Sequence, residues 1–240
     1  MDAKECIVLA GGLGTRLRGV IGEMPKCMAP VGSQPFLHWL FRYLQQEGCT
    51  RCVLSLGYRH EVVLEWLKIQ TLPFEVDYVI EREPLGTGGG LVLALQQCRE
   101  AHVFVVNGDT LFNASLEGLR EVHSAAGAET TLALKPMQDF ERYGTVEVSA
   151  EKGIVGFKEK VACAAGLING GIYVVERIPF LARHFGERFS FEKEYLETLV
   201  ATGIFAAAID DGYFIDIGVP ADYERAQTEV PALFAGESSG

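Results

Sequence analysis

The 240-residue sequence predicts an α/β fold, a doubly wound mixed sheet with helices on both faces and a second lobe of added strands. Three observations carry that expectation. Apolar runs alternate with amphipathic stretches through the first half, a glycine-rich loop follows the first apolar run, and the rhythm changes near Asn113. The apolar runs Cys6 to Ala10, Arg51 to Leu56, Glu75 to Ile80 and His102 to Asn107 are expected strands. Helices are expected near Phe36 to Glu47, Arg59 to Ile69 and Thr87 to Gln97, with Leu37, Leu40, Phe41 and Leu44 spaced as one buried face.

Past Asn113 a helix to Ala126 precedes strand-like runs at Thr130 to Lys135, Gly144 to Val148, Gly153 to Phe157 and Leu167 to Val175. Helical stretches near Phe180 and over Phe191 to Ala201, a strand over Phe205 to Ile209 and a helix over Pro220 to Thr228 complete the pattern. With no repeat and no linker, residues 1–235 read as one domain, a nucleotide-binding lobe over 1–112 and a second lobe over 113–235. Residues 236–240 read as a flexible tail.

The formal net charge of −11 argues against a nucleic-acid binder or an anionic-membrane binder, because both require a positive field. A polyanionic ligand must then be met by a local cluster of cations. Met1 to Glu5 carries both charge signs and runs straight into a strand, without a signal or membrane-spanning stretch, so a cytoplasmic protein is expected. The six cysteines are scattered, several within apolar segments, and read as buried thiols rather than a disulfide framework. Cys49 and Cys52 have redox or metal spacing, but no second pair follows.

The loop "LAGGLGTRLRG", Leu9 to Gly19, fits neither standard phosphate motif. A dinucleotide fingerprint fails because Leu17 stands at the third glycine position and the second strand ends Ser55, Leu56, Gly57 without an acidic residue. A Walker A loop fails because Val20 and Ile21 stand where Lys and Ser or Thr are needed. What remains is a longer loop, punctuated at Gly22 and Pro25 and ending in Lys26, with no helix expected until after Pro35. Its glycines let backbone N–H groups approach phosphate oxygens, Arg16 offers a bidentate fork, and Lys26 a mobile point charge. Asp109 lies just past the carboxyl end of an expected strand, and Asp216 follows another apolar run. Either aspartate alone is better explained as a turn or N-cap residue, but together they could hold Mg²⁺.

The segments "LAGGLGTRL", "PKCMAPVG", "EPLGTGGGL", "VVNGDT", "RYGTVEV", "GFKEK", "NGGIYV", "FSFEKEYL" and "FIDIGVPADYERA" occur in that order to about Thr228. Together they resemble the sugar-1-phosphate nucleotidyltransferase family. The resemblance implies a Rossmann-like, GT-A-like sheet of the nucleotide-diphospho-sugar transferase type with an added sugar-binding lobe. It implies that Arg16 and Lys26 are catalytic, serving the phosphates, and that Asp109 and Asp216 hold Mg²⁺. Leu9, Ala10, Gly11, Gly12, Gly14, Thr15, Gly86 and Thr87 are the implied nucleotide-binding residues, although Thr87 also reads as an ordinary N-cap of the helix that follows. Gly144, Glu159, Lys160, Asn169 and Lys193 are the implied sugar-binding residues; Val161 departs from the proline that relatives place after the Glu-Lys pair.

The implied reaction is attack of a sugar 1-phosphate on the α-phosphorus of a nucleoside triphosphate. An anionic phosphate nucleophile needs no general base, and none of His38, His60, His102, His123 and His184 is assigned a catalytic role. The resemblance favours GTP and a manno-configured heptose 1-phosphate; mannose 1-phosphate, or glucose 1-phosphate with UTP or dTTP, stand as alternatives. A non-catalytic sugar-nucleotide-binding regulator is the reading from another class, and it would be signalled by loss of the loop cations or carboxylates, all of which are present. A glycosyltransferase would want Asp-x-Asp, and "NGDT" lacks the first aspartate. A homo-oligomer is compatible with the sequence.

Overall fold

The computed structural model describes residues 3–12 and 17–235. Its centre is a parallel sheet of β1 (Lys4–Ala10), β4 (Cys49–Leu56), β5 (Glu75–Ile80) and β6 (His102–Asn107). The elements between β1 and β4 are α1 (Arg18–Ile21), a 3-10 turn at Lys26–Met28, a small hairpin of β2 (Pro30–Val31) and β3 (Gln34–Pro35), and α2 (Phe36–Gln46). α3 (His60–Leu67) connects β4 to β5, and α4 (Gly86–Leu95) connects β5 to β6. Strand β1 lies between β4 and β6, so the chain reverses its direction of travel across the sheet when it passes from β5 to β6.

The period of two along β1 distributes its side chains between two cores. Cys6 and Val8 pack with α2 residues Leu37, Leu40, Phe41 and Leu44 and with Val63 of α3. Ile7 faces the other side and packs with Leu91, Ala94 and Leu95 of α4. Helices thus cover both faces, as the near-continuous apolar strands demand.

Beyond β6 the sheet turns antiparallel without interruption. The additional elements are β7 (Thr110–Phe112), α5 (Leu116–Ala126), β8 (Thr130–Phe140), β9 (Thr145–Val148), β10 (Ile154–Lys158), β11 (Cys163–Glu176) and α6 (Arg177–Leu181). After them come a π-helical segment at Phe191–Glu197, a 3-10 turn at Val200–Thr202, β12 (Phe205–Ile209), β13 (Phe214–Asp216) and α7 (Pro220–Leu233). β11 pairs antiparallel with β6, β8 and β9, and β12 joins β8 in parallel, so one nine-stranded mixed sheet runs through both halves of the chain. A register shift between Asn169 and Tyr173 lets the 14-residue β11 serve three partners.

Several expectations are corrected. A helical turn, α1, precedes Pro35, because Gly22 at φ +65° only has to stop it after one turn. Phe191 to Ala201 is a π-helical segment and a separate 3-10 turn, not one α-helix. α7 runs past Thr228 and through Pro231, because burial of Val230 and stacking of Phe234 on Trp39 override the proline's preference to end it. The expectation of buried thiols is met at five of the six free cysteines, with Cys163 only partly buried.

At the amino ends of the parallel strands, Glu5 and Arg51 are both buried and form an ion pair. Arg51 also pairs with Asp77, and Glu5 Oε2 accepts from the backbone N–H groups of Arg99 (2.7 Å) and Glu100 (2.8 Å). The pair therefore ties β1, β4 and β5 to the turn that enters β6. Arg51→Met leaves the Glu5 carboxylate buried without its counter-ion, and urea unfolding is expected to show a loss of about 3 kcal/mol. A loss under about 0.5 kcal/mol would show that the two backbone donors alone satisfy Glu5.

Candidate active site

Open α/β sheets bind ligands at the carboxyl ends of strands where the chain changes direction, and here that is the crevice between β1 and β6. A cavity of about 500 Å³ lies there. Of the residues singled out in the sequence, Leu9, Ala10, Gly11, Gly12, Lys26, Gly86, Thr87 and Asp109 line it. Gly14, Thr15 and Arg16 lie outside the described residues.

Asp109 and Asp216 are 107 positions apart, and a two-stranded ribbon joins them. β7, which starts directly after Asp109, pairs antiparallel with β13, so that Asp216 stands opposite Thr110. The N–H of Ile217 donates to the Asp109 carbonyl (3.0 Å) and closes the end of the ribbon. The Lys26 ammonium enters between the two carboxylates, with Nζ 2.6 Å from Asp109 Oδ2 and 3.6 Å from Asp216 Oδ1. The lysine side chain is only 10% exposed, so its stem is buried and its head is held at the cavity wall.

Gly218 completes this arrangement. Its N–H donates to Asp216 Oδ1 (2.7 Å), and a Cβ at this position would lie 2.7 Å from both Asp216 Oδ1 and Lys26 Nζ. Only glycine lets the backbone approach the pair this closely. Asp216 thus makes the turn contact expected of an aspartate and also faces the lysine. Two carboxylates at one cation position, with a cavity beside them for further oxygen ligands, is a donor set suited to a hard divalent cation.

The opposite wall is built by the carboxyl end of β5. Glu81, the first residue past that strand, accepts from the Leu85 N–H at Oε2 (3.1 Å), and its Oε1 lies 3.2 Å from Ser55 Oγ. A Cβ on Gly11 would sit 2.3 Å from Glu81 Oε1, so the first glycine of the loop makes room for this carboxylate. Thr87 is not the N-cap of α4: that position falls to Leu85, and Thr87 lies within the first turn. Its hydroxyl instead donates to Glu192 Oε2 (2.7 Å) and accepts from the Phe191 N–H (2.9 Å), docking the π-helical segment on the mouth of the cavity.

The five residues implied for sugar binding are not among those lining this cavity. Gly144 precedes β9 and packs on the Lys158 carbonyl, while Glu159 and Lys160 are exposed just beyond β10. Asn169 donates to the Tyr173 hydroxyl (2.9 Å) and accepts from the Gly171 N–H (3.0 Å). Gly171 in turn packs on the side chain of Asn107, which lines the cavity. Lys193 is exposed on the π-helical segment, next to Glu192.

Glu81, Asn107 and Glu192 line the cavity although the sequence reading did not single them out. Position directly after an apolar strand, the signal that found Asp109, also marks Glu81. Cys27 lies beside Lys26 in the same wall, but burial pushes its thiol up to about 12, so it stays protonated and inert as a nucleophile. Among the described residues no histidine lines the cavity.

The fold and this cavity define a nucleotide-binding α/β domain that brings one lysine and two aspartates to the carboxyl ends of its strands. A family model for nucleotidyl transferases matches residues 5–232, and the chain belongs to that family. It is 45% identical over 226 residues to D-glycero-alpha-D-manno-heptose 1-phosphate guanylyltransferase of Aneurinibacillus thermoaerophilus, covering 94% of this chain and 98% of that protein. The enzyme of the same name from Campylobacter jejuni is 43% identical over 219 residues, 91% of this chain and 96% of the relative. Among solved structures, HddC from Yersinia pseudotuberculosis superimposes with a TM-score of 0.84 at 33% identity, covering 93% of this chain and 98% of that one. That protein has also been solved complexed with GMP-PN. Among the described residues, no helix is long and apolar enough to cross a membrane.

Gly218→Ala drives a methyl group into the contact between Lys26 and Asp216 without touching either core. Nucleotidyl transfer is expected to fall at least roughly 10²-fold in kcat/KM with little change in Tm, since displacing reacting groups by about an ångström costs that much. Wild-type turnover in this variant would show that the close approach is dispensable.

Proposed function

We propose that the chain transfers GMP from GTP to D-glycero-α-D-manno-heptose 1-phosphate, giving the GDP-heptose and pyrophosphate. The observation that carries the chemistry is the meeting of Lys26, Asp109 and Asp216 beside the cavity, which Lys26 and Asp109 line and Asp216 adjoins through Gly218. The choice of substrates is supported by the two relatives, whose nearly full lengths are matched at 43% and 45% identity. The protein is taken to act in the cytoplasm, in keeping with its free thiols.

In this reading an oxygen of the sugar phosphate bonds to the α-phosphorus, and the bond from that phosphorus to the oxygen bridging to the β-phosphorus breaks. The bridging oxygen leaves with the pyrophosphate. The nucleophile is already anionic, so the protein supplies alignment and charge cancellation, not a base. Lys26 and Arg16 pair with the phosphate oxygens, Arg16 from the loop segment outside the described residues. Asp109 and Asp216 would hold Mg²⁺, which would neutralise phosphate charge on the triphosphate.

Backbone groups of Leu9, Ala10, Gly11, Gly12, Gly14 and Thr15, with Gly86 and Thr87, hold the nucleotide. Glu81 is the group suited to guanine, because its carboxylate can accept both the N1–H and the 2-amino group, a donor pair that uracil and thymine lack. Gly144, Glu159, Lys160 and Asn169 serve the sugar and Lys193 its phosphate. As none of them lines the cavity, this assignment rests on the family resemblance.

The substrate assignment is tested by pyrophosphate release from four nucleoside triphosphates against heptose, mannose and glucose 1-phosphates. GTP with the heptose is expected to give the highest kcat/KM, and preference for UTP or dTTP with glucose 1-phosphate would overturn it. Asp216→Asn is expected to raise the Mg²⁺ concentration needed for half-maximal rate at least tenfold, because a neutral amide is a poorer ligand for a hard cation. Turnover independent of divalent metal would remove the carboxylates from this role. Glu81→Gln is expected to lower kcat/KM for GTP by roughly 10²-fold and to collapse the discrimination between GTP and ITP, which lacks the 2-amino group. An unchanged GTP to ITP ratio would assign guanine recognition elsewhere.

A further inference from the structure

At the end of the sheet away from the cavity, three metal-ligating side chains converge from three elements. His102 opens β6, Glu176 closes β11 directly opposite it in the antiparallel register, and His123 projects from the last turn of α5. One ligand atom from each lies within 4.8 Å of the others. Strand β6 separates this cluster from Asn107 in the cavity wall by five residues, or roughly 16 Å.

The second observation is the state of His123. Its side chain is 1% exposed, its Nδ1 is 2.9 Å from Thr131 Oγ1, and its buried Nε2 makes no hydrogen bond. That nitrogen lies 3.4 Å from Glu176 Oε1, and the same oxygen lies 3.0 Å from His102 Nε2. A buried ring nitrogen without a hydrogen bond is costly, and here it lies beside a carboxylate that also contacts His102, whose ring packs edge-on against that of His123. A metal ion would satisfy all three groups at once. For ligand bonds of about 2.0 to 2.1 Å, neighbouring atoms of a tetrahedral shell stand about 3.4 Å apart, close to the two distances from Glu176 Oε1.

We propose that His102, His123 and Glu176 form a transition-metal site for a Zn²⁺-type ion, distinct from the carboxylates of the nucleotidyl-transfer site. Two imidazoles and one carboxylate suit zinc, whereas Mg²⁺ and Ca²⁺ prefer all-oxygen shells. Thr131, itself fully buried, fixes the ring of His123 through Nδ1, as outer partners of metal-binding histidines do. The side chain of His102 is 42% exposed, which gives the ion an entry path and leaves the fourth position to water. The backbone on both sides is held: Glu176 N–H donates to the Glu129 carbonyl (2.8 Å) and Arg177 N–H to the Ala101 carbonyl (2.8 Å). The ion would pin the end of α5 to the sheet edge where β6 meets β11, stabilising the fold rather than reacting with substrate.

The test uses the full-length protein stripped with a chelator and titrated with Co²⁺ in millimolar Mg²⁺, which keeps the carboxylate site occupied. One equivalent is expected to give the visible bands of a tetrahedral Co²⁺ ion, displaced by Zn²⁺, with the affinity falling by more than the roughly 10- to 100-fold that loss of an outer partner costs in both His102→Ala and Glu176→Gln. These positions are partly exposed, so the variants are expected to fold even where His123→Asn does not. Asp109→Asn is expected to keep the bands. Zn²⁺ at a hundredfold excess over its Kd is expected to raise the wild-type Tm by roughly 5 °C, and to lose that effect in His102→Ala. Absence of tetrahedral bands, bands unchanged in His102→Ala, or bands lost in Asp109→Asn would each overturn the site.

Discussion

The ion contact of Lys26 with Asp109 and Asp216 is the constraint to which the other features of the site are subordinate. Three segments far apart in the chain must deliver one ammonium and two carboxylates to one point. Each delivery has its own device: a 3-10 turn for the lysine, the end of β6 for the first aspartate, and the β7–β13 ribbon for the second. In a chain of net charge −11, this lysine also supplies local positive charge where a polyanion is proposed to bind. The buried lysine stem reduces competition from water at the pair, although the Asp109 side chain is 39% exposed.

The sheet explains why the ends of the strands carry different properties. Their carboxyl ends open into a cavity whose walls come from short loops, so small changes in those loops alter what is bound without disturbing the cores. Their amino ends are closed by the buried Glu5–Arg51 pair and by the contacts of Glu5 with the turn into β6. The antiparallel strands added beyond β6 are part of the same sheet, and their long member β11 connects the two ends, running from the neighbourhood of Asn107 to Glu176. A site built on such a frame inherits its rigidity, which is what alignment of two repelling anions requires.

Much of the frame was legible in the sequence, because β1, β4, β5 and β6 are apolar runs bounded by turns and α2 has a single buried face. Asp109 and Asp216 were legible as carboxylates placed directly after apolar strands. What was not legible depends on contacts across the chain. Thr87 has the residue type and position of an N-cap, yet it bonds Glu192 and Phe191 more than a hundred positions away. Gly88 falls within the helix expected over Thr87 to Gln97, but nothing local shows that it leaves room for the ring of Phe189. The last helix is expected to end at Thr228, yet it runs on through Pro231, carried by the packing of its neighbours. The histidines were set aside because they lie away from the catalytic motifs, and no local pattern shows that His102 and His123 meet over Glu176.

The central claim is that Lys26 and Asp109 act as one unit in nucleotidyl transfer, not as two independent contributors. A double-mutant cycle on Lys26→Met and Asp109→Asn, read as kcat/KM for pyrophosphate release from GTP, measures this directly. The account predicts strong coupling: each single variant loses at least roughly 10²-fold, and the double variant loses no more than about tenfold beyond the worse single one. Losses that multiply, with the double variant reduced by the full product of the two, would contradict the account and show that the observed ion pair has no part in the reaction.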